Sequence, residues 1–201
     1  MMVAVGDGSL GPVTLAGRHI RLEPLRPEHA AGLLAAARPE VWAHTSAILD
    51  TPEAIDHYIA AALTTQEQGR EYPFAVVEAE NGRILGSTRY LDVNHQHRAA
   101  EIGWTWYTPE VWGTAVNPEA KLLLLRHAFE DWGAIRMCLL TDVRNLHSQA
   151  AIRKLGAKYE GTLRNHRIRR DGSYRDSVLF SITRDEWPAV EIGLRTRLNL
   201  I

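Results

Sequence analysis

The stretch from Thr108 to Gly156 constrains the fold more than any other part of this chain. It sets a loop of small residues before a helix, follows the helix with an apolar strand, and closes on a second helix. The loop reads Trp112-Gly113-Thr114-Ala115-Val116-Asn117 and runs into Pro118-Glu119-Ala120-Lys121. Asn117 suits an N-cap and Pro118 a first helical residue, so the helix is expected to start there, continue to about Trp132 and stop at Gly133. Ile135 to Asp142 is nearly all apolar, which predicts a central strand buried on both faces. Asn145 to Leu155 predicts a short helix with Ser148, Ile152 and Leu155 on one face, ended by Gly156.

The flanking segments supply the rest of a sheet. Arg18 to Leu25 alternates polar and apolar residues at the period of a half-buried strand. Pro27 opens an alanine-rich helix to about Ala37, and Thr51 caps a second from Pro52 to Gln68, ended by Gly69. Tyr72 to Ala79 and Ile84 to Asp92 read as an antiparallel hairpin around Asn81-Gly82, and Ala99 to Tyr107 as the next strand. Lys158 to Ile168 and Ser173 to Thr183 flank an Asp171-Gly172 turn, and an amphipathic segment from Asp185 to Leu200 follows. Hairpins joined to one helix-bearing crossover predict an α/β (α+β) fold. Its mixed, mostly antiparallel central sheet has about seven strands and helices on both faces. Residues 14–201 form one domain, and residues 1–13, rich in glycine, are expected to be a flexible tail.

Composition removes several functions. With 23 Lys and Arg against 24 Asp and Glu in 201 residues, the net charge of -1 supplies no general field for nucleic acid or an anionic membrane. No window approaches the roughly 20 apolar residues of a membrane helix. The single cysteine, Cys138, lies in an apolar run as a small hydrophobe and makes no internal disulfide, so the cytoplasm is the expected compartment. His95 and His97 form a His-x-His pair without a nearby third ligand, and no metal is expected.

The loop from Trp112 to Asn117 suits an anion, because small residues let backbone N–H groups at a helix start approach a phosphate. The element order, this loop and Asn145-x-x-Ser148 before Lys154-Leu155-Gly156-Ala157 resemble the GCN5-related N-acetyltransferases. Within that family the chain looks most like the branch that includes the ribosomal-protein N-terminal acetyltransferases. The resemblance runs from about Arg18 to Thr183. It implies acetyl-coenzyme A as co-substrate, with its pyrophosphate on the loop: Gly113 and Ala115 match the family's small positions, and Thr114, Val116 and Asn117 lie beside them. Glu110 stands where the family has Gln or Arg. The strand residues Trp104, Thr105 and Trp106 would hold the pantetheine. Glu101-Ile102-Gly103-Trp104 matches the family's Glu-Ile-Gly-aromatic strand and makes Glu101 the base; Ser148 becomes the acid, with Asn145 orienting it or the pantetheine. Arg89, Trp104 and Asp142 are assigned to the acceptor pocket.

Each residue has a plainer reading. Glu101 is equally a strand-end carboxylate or salt-bridge partner, and Asp142 is a second candidate base. Asn145 is equally a helix cap. Trp104 and Trp106 fall on one strand face, where they either wall a pocket for an apolar or aromatic amine or pack the sheet. Arg164, His166, Arg167, Arg169 and Arg170 either attract an acidic acceptor or the coenzyme's phosphates, or protect an edge strand from aggregation. The expected activity is acetyl transfer to a primary amine, a protein N-terminus or a small molecule, by direct attack in a ternary complex. The alternative is an acyl-coenzyme A sensor or docking module of the same fold. The aromatic strands and C-terminal segment allow a homodimer.

Overall fold

The structure is a computed structural model that describes residues 8–45 and 47–201. The sheet is built from β1 (Leu15–Ala16), β2 (Ile20–Pro24), β3 (Tyr72–Glu78), β4 (Ile84–Asn94), β5 (Ala99–Tyr107), β6 (Arg136–Asp142), β7 (Lys158–Ile168) and β8 (Tyr174–Thr183). Around it lie α1 (Ala30–Ala36), α2 (Pro52–Glu67), α3 (Val116–Arg126), α4 (Leu146–Lys154) and α5 (Trp187–Arg197). The strand order is β1-β2-β3-β4-β5-β6-β8-β7, and only β5 and β6 run parallel. The two-residue β1 brings the sheet to eight strands rather than about seven.

Local chemistry accounts for most boundaries. Gly82, at φ +76, turns the β3–β4 hairpin, and Thr51 Oγ1 accepts from Ala54 N at the start of α2. Two apolar layers then form. Leu33, Trp42, Ile55 and Ile59 pack with α1 and α2 on one face, while Leu124, Phe129, Met137, Phe180, Trp187 and Leu194 fill the other with α3 and α5.

Three expectations change. The residues from Gly8 onward do not form a tail: Leu10 is 0% exposed within the α3–α5 layer, and Gly8 N donates to Asp131 O at 3.2 Å. Burying a leucine side chain is worth about 1.5–3 kcal/mol, enough to dock this otherwise featureless segment. Residues 1–7 lie outside the described residues. Secondly, β6 is buried on one face only. Met137 and Leu139 enter the core while Cys138 and Leu140 stay half-buried, because α1 and α2 cover the β3–β5 part of their face and stop there. Thirdly, α3 begins at Val116 with Ala115 as its cap, so Asn117 and Pro118 lie inside its first turn. The hydroxyl of Thr114 accepts from Val116 N and anchors the start. At its far end α3 passes into a π-helical turn, His127–Asp131, before Gly133 at φ +76.

Candidate active site

β5 and β6 pair only from Ala99 to Glu101 against Arg136 to Cys138, and beyond that point the strands splay. The gap is a cleft of about 790 Å³, within the ordinary range for a small-molecule site. Strand residues 101–107, the turn before α3, the start of α4 and the β7–β8 hairpin all line it.

Glu101 sits where the pairing ends, 8% exposed. Burial pushes its carboxyl up to about 7, opposed by the charges of Arg167 and Arg175 and reinforced by Asp92 and Glu71. The glycine two residues on is a spatial requirement. A Cβ on Gly103 would lie 2.8 Å from Glu101 Oε1 and 2.8 Å from Leu91 Cδ2, so Glu-Ile-Gly spacing makes room for the acid.

Past Gly103 the strand bulges. Ser87 pairs with Trp106 and Arg89 with Gly103, leaving one extra residue in β5, and Trp104 takes φ +48. The bulge reverses the alternation. Ile102 faces the α3 layer, yet Trp104 packs on Tyr58 of α2 at 6.1 Å and Trp106 on Trp42 at 5.2 Å. The two indoles therefore share a face, wall the cleft and pack the α1–α2 layer together. Thr105 points to α3, where its hydroxyl lies 2.8 Å from Thr88 Oγ1 and accepts from Lys121 Nζ at 2.8 Å.

Lys121 escaped the sequence reading. It is buried beside the cleft, and desolvation lowers its ammonium to about 7. The signal was a lysine inside an otherwise apolar helical run, Ala120 to Leu125. Such a residue is buried with a partner or serves a site.

The turn before α3 opens into the cleft. Gly113 adopts φ +75, a conformation a side chain resists, and nothing lies within 4 Å of where its Cβ would be. Among the described residues the N–H groups of Gly113, Ala115 and Asn117 have no intramolecular acceptor. The side chain of Ala115 packs on the core, which leaves its backbone N–H alone to contribute, whereas Val116 is buried with its N–H bonded to Thr114 Oγ1 and does not line the cleft. Asn117 Oδ1 accepts from Tyr107 Oη at 3.3 Å. Glu110 is turned away to an ion pair with Arg83, and the Trp112 indole is pinned by a 3.0 Å bond from Nε1 to Tyr107 O. Neither blocks the turn. The cleft and these outward N–H groups fit a diphosphate-bearing acyl thioester.

On the opposite wall Asn145 caps α4, its Oδ1 accepting from Ser148 N at 2.9 Å. The capping reading of Asn145 therefore holds in the structure. Ser148, half-buried, lines the cleft with its hydroxyl free of protein partners among the described residues. Gln149 Nε2 donates to Val143 O at 2.8 Å and ties α4 to the end of β6.

One pocket assignment, Arg89, and the reading of Asp142 as a second base need correction. Arg89 does not line the cleft. Its side chain, 6% exposed, pairs with Glu71 at 2.6 Å and lies between the rings of Tyr58 and Trp104, at 4.7 and 5.0 Å. The bulge that turned Trp104 toward α2 also placed its ring over this guanidinium. Asp142 does line the cleft, but Arg169 holds its carboxylate through Nε at 2.6 Å and Nη2 at 2.8 Å, and Arg144 N donates to it at 2.9 Å. Those bonds, Arg169 foremost, keep it below the ordinary carboxylate range, so it is a poor base at neutral pH.

This arrangement has relatives. Residues 19–158 match the family model of the acetyltransferase (GNAT) domain, and the chain belongs to that family. The crystal structure of a protein described as an acetyltransferase from T. thermophilus superposes with a TM-score of 0.84. It is 37% identical over 93% of this chain and 97% of its own. A Bacillus subtilis protein named as a ribosomal N-acetyltransferase, YdaF, is 28% identical over 107 residues, 53% of this chain, and the match spans 57% of that relative's length. RimJ of Mycobacterium smegmatis, solved with CoA-disulfide, shares the fold at 22% identity with a TM-score of 0.79, covering 94% of this chain and 95% of its own. No helix among the described residues is long and apolar enough to cross a membrane.

Proposed function

We propose that this chain transfers an acetyl group from acetyl-coenzyme A to a primary amine by direct attack in a ternary complex. The observation that carries the reading is Glu101: a buried carboxyl near pH 7 at the point where β5 and β6 part, with unpaired N–H groups at the head of α3 beside the same cleft. When bound, acetyl-coenzyme A supplies an activated acyl thioester and a thiol as leaving group. The turn N–H groups of Gly113, Ala115 and Asn117 hold its diphosphate, and the bulged strand around Thr105 holds its arm. Glu101 takes the proton from the acceptor ammonium and leaves a neutral amine. The neutral amine then forms the C–N bond as the C–S bond breaks, and Ser148 Oγ–H, on the α4 helix capped by Asn145, stands as the proton donor to the leaving thiolate and regains its proton from the amine nitrogen. Lys121 steadies the bulge through Thr105 Oγ1.

A thiol-release assay with acetyl-coenzyme A and a panel of amines tests the proposal, alongside calorimetry of acetyl-coenzyme A binding. Turnover should appear with at least one amine, and Ser148→Ala should lower kcat about 10- to 100-fold while leaving coenzyme affinity in place. Absence of coenzyme binding would end the reading; binding without thiol release would favour a sensor of the same fold.

A further inference from the structure

Arg167 and Arg175 are direct cross-strand partners on β7 and β8, and both line the cleft. Two like charges in that position repel and destabilise a hairpin unless an anion lies between them. Three other arginines of this region are satisfied: Arg169 grips Asp142, Arg136 pairs with Glu160, and Arg170 donates to Trp42 O at 2.6 Å. Among the described residues Arg167 has neither ion pair nor side-chain hydrogen bond, and Arg175 Nε is buried without a hydrogen-bond partner. The carboxylate oxygen approaching Arg175 is Asp142 Oδ2, at 4.0 Å, and Arg169 already occupies it.

Strand parity puts this pair with the reacting end of the cleft. Val178 and Phe180 of β8 face the α3 layer, so Arg175 faces the other side of the sheet, the side of Glu101 and Trp106. The pyrophosphate turn belongs to the opposite layer. The field of the pair reaches its neighbours: burial first, then Arg167 and Arg175, hold the His166 imidazole below its ordinary value, and burial with Arg167 lowers the Arg175 guanidinium against the opposing charges of Asp142 and Glu101. A cationic acceptor such as a polyamine would enter against two guanidiniums.

We propose that Arg167 and Arg175 form a carboxylate site beside Glu101, and that the amine acetylated here carries a carboxylate on the same molecule. This rests on the acetyl-transfer reading. Arg167, free of partners among the described residues, and Arg175, held only by the long 4.0 Å approach of Asp142, accept one carboxylate by charge-assisted bonds, which fixes the amine toward Glu101. The carboxylate comes either from the α-carboxyl of a free amino acid or from an acidic side chain next to a peptide amine.

The test is calorimetry on the full chain loaded with coenzyme A, so that it needs no turnover. The probes are a panel of amino acids against their carboxamides, and dipeptides with aspartate or asparagine second. The acid form should bind at least about tenfold more tightly than its neutral partner in one series, which also says which source is used. Arg167→Gln and Arg175→Gln should each bring that ratio toward one while coenzyme affinity stays constant. Arg167→Gln should also keep or raise the Tm of the free chain, because it removes a repulsion. Equal response to acids and neutral partners, including no response to either, overturns the site, as does a ratio untouched by both variants. Acid preference without thiol release from any amine would leave the carboxylate site standing and remove the transfer reading instead.

Discussion

Glu101 shows how much one residue's chemistry depends on its neighbours. Its place in Glu-Ile-Gly was readable along the chain, and the absence of a Cβ at Gly103 explains that spacing. Its titration near 7 was not readable, because burial and the facing arginines come from other strands. The folded protein holds this proton more tightly than the unfolded chain, whose value is near 4.5. Its contribution to stability is therefore most favourable at low pH, declines as pH rises from about 4.5 to 7, and stays at its least favourable above that. Glu101→Gln should accordingly raise Tm at pH 8 and leave it unchanged at pH 4, as differential scanning calorimetry would record. In the proposed reaction the wild-type rate should climb with pH through about 7, and the variant should lose roughly 10²- to 10⁴-fold in kcat with coenzyme affinity intact. An unaltered kcat would remove Glu101 from the base role. Asp142 offered the same functional group at a strand end; the burial of Glu101 on one side and the reach of Arg169 from the distant hairpin on the other separate the two carboxylates.

At the scale of an element, α3 was legible as a helix and wrong in its start. Asn117 and Pro118 favour an N-terminus locally, but the cap falls two residues earlier at Ala115, with the Thr114 hydroxyl accepting from Val116 N, and Pro118 tolerates a place inside the first turn. The helix faces two ways. Lys121 reaches the bulge of β5, whereas Glu119 accepts backbone N–H bonds from Arg18, His19 and Ile20 at 2.7, 2.7 and 2.9 Å, stapling the β1–β2 turn to the head of α3. Glu119→Ala would leave three donors without their acceptor and should cost about 3 kcal/mol or more in urea unfolding. A loss under about 1 kcal/mol would show that water replaces the carboxylate at little cost. The consequence would reach the turn proposed to hold the pyrophosphate, so coenzyme affinity should fall with it.

Over the whole molecule the site exists because one sheet comes apart at its middle. Helices on both faces of a mixed sheet were expected from the order of elements, and the family relationship agrees with that order. The additional strand, β1, is two residues long, too short for any periodic signal. Leu10 closes the α3–α5 layer from a glycine-rich segment that carries no pattern at all, and Leu10→Ala should cost about 2–5 kcal/mol in chemical denaturation. A cost near zero would return that segment to the status of a tail.

Hydrophobic period, capping residues and turn glycines act over a few residues, so the sequence by itself determined nearly every strand and helix, the small-residue turn and the Glu-Ile-Gly strand. The tertiary structure decided which carboxylate stays free, where Arg89 lies, how the bulge turns two tryptophans, and that Arg167 stands opposite Arg175. Those outcomes depend on burial and charge between residues far apart in the chain, and no local period encodes such distances.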